Sequence, residues 1–130
     1  MSGGAKSSKG GKALATRVIE TAENLGLEAK KEVTVGRRLW GAVRKIDVVL
    51  IDKTTRKSLG IECKFQEVGG SAEEKIPTTI KDIEAWPIPG LLVFDGPGFS
   101  SNMTGYLYST GKAVAFHDLE QWLKLFFGLN

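Results

Sequence analysis

The stretch from Lys45 to Gln66, KIDVVLIDKTTRKSLGIECKFQ, constrains the fold more than any other part of the chain. Two apolar runs, IDVVLID and LGIECKF, flank the polar turn KTTRKS, which predicts an antiparallel β-hairpin. Side chains of a strand alternate between its faces. Ile61, Cys63 and Phe65 therefore point one way, and Glu62, Lys64 and Gln66 the other. Asp47 opens the first strand just after the basic pair Arg44 and Lys45, and hairpin pairing brings it towards Glu62. Nearly every other residue of the two strands is apolar, as in a central hairpin covered on both faces. Carboxylates in such a place are costly unless they hold a cation. The plainer alternative is a strand whose charged face meets water, with the hairpin charges paired to one another.

The rest of the chain supplies elements to cover that hairpin. Leu14, Val18, Ala22 and Leu25 recur at helical spacing from Lys12 onward, and Gly26 closes that helix. EAKKEVTV reads as a strand, and residues 36–42 as a basic turn with Trp40 as a packing anchor. In SAEEKIPTTIKDIEAW, Ile76, Ile80 and Ile83 share one helical face, and Pro77 starts a helix there or kinks one begun at Ser71. GLLVFDG is a short buried strand, PGFSSNMTG a loop, and YLYSTGKAVAF contains a further strand. DLEQWLKLFF closes the chain as a helix, with Asp118 and Gln121 placed as a capping box. The order α-β-β-β-α-β-(β)-α predicts an α/β fold, a mixed central sheet flanked by helices.

At 130 residues one core suffices, and residues 12–130 are read as a single domain. Residues 1–11, rich in Gly, Ser and Lys, cannot bury enough surface to order themselves and are read as a flexible basic tail. No apolar run approaches the roughly 20 residues of a membrane span, and the N-terminus lacks the apolar segment of a secretory signal. Cys63 is the only cysteine, which excludes an intrachain disulfide and a Cys-rich zinc site and suits a reducing, cytoplasmic setting. The net charge of +3 is mild, but Arg37, Arg38, Arg44 and Lys45 cluster at a strand entrance. With Lys75 these are the candidate phosphate contacts of a polyanionic partner, and Lys6, Lys9 and Lys12 would add to them from the tail.

The hairpin charges also define a chemistry. Mg²⁺ is held by one or two carboxylates together with water and substrate oxygens. Asp47 and Glu62 supply such ligands, and the Cys63 backbone carbonyl lies close enough to join them. Lys64, one strand repeat beyond Glu62, would orient the attacking water and support negative charge in a phosphoryl transition state.

Asp47, fourteen intervening residues, then Glu62-Cys63-Lys64 resembles the PD-(D/E)XK nuclease superfamily, with Gln66 fitting its extended E-x-K-x-Q form. GSAEEKI, from Gly70 to Ile76, is similar to a G-T-x-x-E-K-I stretch that follows this motif in some restriction enzymes. The resemblance implies a restriction-endonuclease-like αβββαβ core and Mg²⁺-dependent cleavage of DNA, with Mn²⁺ able to substitute. It gives Asp47, Glu62, Lys64 and Gln66 catalytic roles, Gln66 positioning water or backbone. Ile46 stands where the family name has proline. The acid that many members carry on the first helix is not matched, since Glu20 lies nearly opposite the apolar face and reads as solvated. Cutting both strands of a duplex calls for a homo-oligomer, a dimer or higher, with PGFSSNMTGYLY and the C-terminal LFFGL as candidate interfaces. The alternative is a non-catalytic nucleic-acid-binding protein that keeps the fold. His117, Trp86 and Trp122 read as packing or surface residues, and GPG at 96–98 as a turn, since it lacks the Lys-Ser or Lys-Thr of a phosphate loop.

Overall fold

The computed structural model describes residues 3–37, 43–67 and 71–130. Its elements run α1 (Gly3–Asn24), β1 (Glu28–Arg37), β2 (Val43–Ile51), β3 (Ser58–Phe65), α2 (Ile76–Glu84), β4 (Gly90–Asp95), α3 (Ser101–Thr110), β5 (Ala113–Ala115) and α4 (Leu119–Phe127). The strands form one five-stranded sheet in the order β1-β2-β3-β4-β5. β1, β2 and β3 pair antiparallel, whereas β3, β4 and β5 pair parallel. Parallel neighbours need crossovers, and α2 and α3 provide them.

Both faces of the sheet are covered, as the apolar runs of the hairpin predict. On one face Leu14, Val18 and Ala22 of α1 and Leu119, Leu123 and Phe127 of α4 pack on Val48, Leu50, Leu59 and Ile61. On the other, Ile76, Ile80 and Ile83 of α2 and Leu107 of α3 pack with Trp86 on Ile46, Val49 and Leu92. Gly60 and Gly90 make room for Trp86, because a Cβ at either would collide with its ring at Cε3 and Cζ3. Between β2 and β3 the turn is closed by Asp52, whose Oδ1 accepts from the Thr54 and Thr55 amides, and Arg56 takes a left-handed φ of 66°.

Three local expectations are corrected. PGFSSNMTG is not all loop: α3 starts within it, and YLYST continues α3. Ser100 caps α3, its Oγ accepting from the Met103 amide, while the Glu73 carboxylate accepts from both the Ser100 amide and hydroxyl. Only Leu107 of α3 is buried, so no apolar period announced this helix. Asp118 makes no capping bond, because a 3-10 turn over Phe116–Asp118 leads into α4 and leaves Asp118 already helical, at φ −102° and ψ 0°; a cap requires extended backbone. Finally, α1 begins at Gly3 rather than Lys12, and Gly10 lies so close to Phe65 that a Cβ there would meet the ring. Pro77 falls in the first turn of α2, as expected.

Candidate active site

The site grows from a divergence of β2 and β3. Their pairing runs from Ile51–Ser58 to Val48–Ile61 and stops there, while β3 stays paired to β4 as far as Phe65–Asp95. Asp47 stands at the first open step. Alternation also slips at this residue: Ile46 faces α2, yet Val48 and Leu50 face α1. The β1 ladder passes from Lys31–Val48 to Val33–Ile46 without a Glu32–Asp47 pair, and Glu32 adopts a left-handed φ of 49°. The slip turns the Asp47 carboxylate into the gap, where Oδ2 accepts from the Cys63 amide at 2.9 Å. In an extended strand a residue's N–H and C=O point to the same side, so the Cys63 carbonyl faces that gap too.

Glu62 and Lys64 project from the α2 face of β3, and Lys64 Nζ lies 3.7 Å from Glu62 Oε2. Burial holds the Asp47 carboxyl above the ordinary carboxylate range, against the pull of the Cys63 amide and the Lys64 ammonium. Glu32 pushes it up further, and a hydrogen bond with the Glu62 carboxyl draws it down. Asp47, Glu62 and Lys64, which the sequence singles out, are thus neighbours. Burial and the same two carboxylates push the Cys63 thiol well above its usual value, which makes it inert.

Other expected residues are placed differently. Gln66 is only 6% exposed, and its Nε2 donates to the Gly98 carbonyl at 2.8 Å. It clamps the turn after β4, its own carbonyl accepting from the Gly98 amide. Arg44 Nε binds Asp82 Oδ1 at 2.9 Å, tying β2 to α2 with both side chains largely buried. Lys45 and Lys75 are exposed, and Lys75 lines a cavity with Glu62 and Lys64. Arg38 and Trp40 lie outside the described residues, as do the side chains of Arg37, Lys6 and Lys9. Glu20 is exposed on α1, and His117 is exposed beside Asp118.

Periodicity missed Glu32, which lines a cavity of about 500 Å³ with Lys12, Thr16 and Asp47. Only the β1–β2 register reveals it. Among the described residues no group of three or more His, Cys, Asp or Glu is arranged to hold a metal. Any cation here would rest on the two hairpin carboxylates and backbone oxygen. That donor set suits a hard divalent ion.

A five-stranded mixed sheet between helix pairs, with carboxylates where β2 and β3 part, defines a restriction-endonuclease-like fold. The profile of the PD-(D/E)XK nuclease superfamily domain matches residues 6–124, and the chain belongs to that superfamily. Its members are generally nucleases and typically use divalent metal ions. Among solved structures it is similar to AF1548, a protein of unknown function, at 22% identity over 78% of this chain and 56% of that one, with a TM-score of 0.54. It is also similar to protein VC1899 from Vibrio cholerae, at 19% identity over 82% of this chain and 30% of that one, with a TM-score of 0.53. The chain thus spans about half of the first and under a third of the second, and both likenesses concern the fold alone. No curated protein matches the chain. Among the described residues no helix is long and apolar enough to cross a membrane.

Proposed function

We propose that this chain is a Mg²⁺-dependent endonuclease that hydrolyses DNA phosphodiester bonds, with Mn²⁺ able to substitute. The observation that carries this reading is the Asp47 carboxylate turned into the β2–β3 gap, bonded to the Cys63 amide and beside Glu62. Asp47, Glu62 and the Cys63 carbonyl would hold the cation. Bound there, a divalent ion would lower the pKa of water and offset charge on the transferring phosphoryl group. Lys64, next to Glu62, brings its ammonium to where that charge develops and orients the nucleophile. Gln66 acts through the backbone: it fixes the turn at Gly98 and thereby the end of β3. Lys45 and Lys75 are the exposed candidates for phosphate contacts, and Arg37, Arg38 and Arg44 complete the proposed set. A lone buried Cys63 suits a reducing, intracellular setting, and cutting both strands calls for a homo-oligomer.

The second reading, a nucleic-acid-binding protein without catalysis, draws on the Glu62–Lys64 ion pair, which neutralises one carboxylate without a metal. Calorimetric titration with Mg²⁺ and Mn²⁺, run beside cleavage of plasmid, linear and branched DNA, decides between them. Binding of neither ion, with or without DNA, would remove the nuclease reading.

A further inference from the structure

Beside the active site, β1 and β2 leave the sheet as a two-stranded ribbon. From Val33 to Arg37 and from Val43 to Ile46 they pair only with each other, because β1 is the outermost strand and β2 parts from β3 beyond Val48. One face of the ribbon is anchored. Ile46 is buried with the isoleucines of α2, Val33 and Val35 pack against the same cluster, and Arg44 is held by Asp82 at 2.9 Å. The other face is uncovered. Thr34 and Lys45 are cross-strand partners and share it, and both are exposed, as is Val43. Two residues beyond Lys45, Asp47 borders the cavity of about 500 Å³ that Lys12 and Lys31 also line, so the uncovered face leads towards that carboxylate.

From this we infer that the uncovered face of the ribbon lies in the major groove of duplex DNA beside the cut. The inference rests on the nuclease reading and narrows its substrate to DNA that is double-stranded on the ribbon side. Charge names the partner. From Gly36 to Lys45 the chain holds Arg37, Arg38, Arg44 and Lys45 and no acid, which complements a polyanion. Among the described residues Val43 is the only exposed large apolar side chain on the ribbon, too little for the apolar centre of a protein interface. Dimensions name the groove. Paired strands lie about 4.8 Å apart. With its side chains such a ribbon fits the major groove, about 12 Å wide, and not the minor groove of about 6 Å. A ribbon seated on the protein by one face can lay the other against base edges. There Lys45 would donate to acceptors such as guanine O6 and N7, and the Thr34 hydroxyl can both donate and accept.

The test measures binding by fluorescence anisotropy in EDTA, which separates it from cleavage. One probe is a short labelled duplex containing cytosines and an A·T tract. The other is the same duplex with glucosylated 5-hydroxymethylcytosine for cytosine, whose sugar fills the major groove. Wild-type protein is expected to bind the plain duplex about tenfold more tightly, within what one specific base-edge contact carries. Netropsin, which fills the minor groove, should not displace it. Lys45→Glu, at an exposed position, sets a carboxylate against the base-edge acceptors and should bring the two affinities together. Thr34→Glu, equally exposed, should do the same from the partner strand, and thermal melts check that each variant folds. Three results would each overturn the groove assignment and leave the nuclease reading standing: equal wild-type affinity for both duplexes, displacement by netropsin, or folded variants that keep the full preference. Binding of neither duplex would overturn both.

Discussion

Lys64 and Glu62 are one strand repeat apart, yet the lysine side chain is 37% exposed and the glutamate 18%. The ammonium therefore stays within reach of a substrate while the carboxylate is held back with Asp47. Truncating them should have different consequences. Asp47→Ala or Glu62→Ala is expected to abolish both cation binding and cleavage, because a small ligand set loses a member. Lys64→Ala should keep cation binding while cleavage falls about 10²–10³-fold, the usual loss of one transition-state donor. Calorimetry beside single-turnover cleavage checks this, and equal loss of cation binding in all three variants would contradict it. Asp47 also makes stability depend on pH. Its carboxyl is raised in the folded protein, so the fold holds that proton more tightly than the unfolded chain does. That contribution is present below the unfolded pKa, about 4, and is lost as pH rises through the higher folded value. Asp47→Asn keeps an acceptor for the Cys63 amide and carries no charge. In EDTA it should melt above wild type at pH 7, with the gap closing as pH falls towards 4. A gap constant across that range would refute the sign.

At the scale of elements, the active-site end of β3 is secured from the far side of the sheet. β3 ends at Phe65, and Gln66 then holds the turn after β4 by its amide, its carbonyl and its side chain. Gly96 makes this possible, since its φ is 106° and any Cβ would collide with the Gln66 carbonyl oxygen. Gly96→Ala should cost about 3 kcal/mol, from backbone strain and overpacking together. Gln66→Ala should cost about 1–3 kcal/mol by leaving the Gly98 carbonyl without its partner. Urea denaturation measures both. A loss well below about 1 kcal/mol in either would mean that the turn relaxes and does not brace β3. On the proposed reading the E-x-K-x-Q spacing serves two purposes: two residues for chemistry and a third to fix where they sit.

For the whole molecule, charge and symmetry are the properties that bear on DNA. Lys6, Lys9 and Lys12 belong to α1, whose Gly10 packs on Phe65, so deleting the segment would disturb the fold and substitution is the sounder test. Replacing all three by Gln should lower the log–log salt slope of DNA binding by up to about 3 units, at about 0.9 for each phosphate left unneutralised. An unchanged slope would mean these lysines do not touch DNA. On the proposed reading, one site per chain would cut one strand. Light scattering should therefore find a dimer or larger assembly on DNA, for which Leu125, 86% exposed on α4, is a candidate interface residue. Monomers with and without DNA would point to a nicking enzyme instead.

Alternation with a period of two is a local property, so the sequence alone determined the hairpin, its two covered faces and the juxtaposition of Glu62 with Lys64. Helical periods likewise exposed the buried faces of α1 and α2. What lay beyond it depends on residues far apart in the chain. The Asp47 carboxylate enters the gap because the side-chain alternation of β2 slips there, opposite the left-handed Glu32 of β1. Gln66 turned to Gly98, 32 residues on, and Arg44 to Asp82, 38 residues on. α3 buries one leucine and owes its start to Ser100 with Glu73 of a preceding turn, so nothing in its own ten residues marks it as a helix. Strand pairing, capping by a remote acid and ion pairs between elements become energetically defined only once the chain has packed. The tertiary structure therefore decided the orientation of the site, while short-range periodicity had already decided which residues could form it.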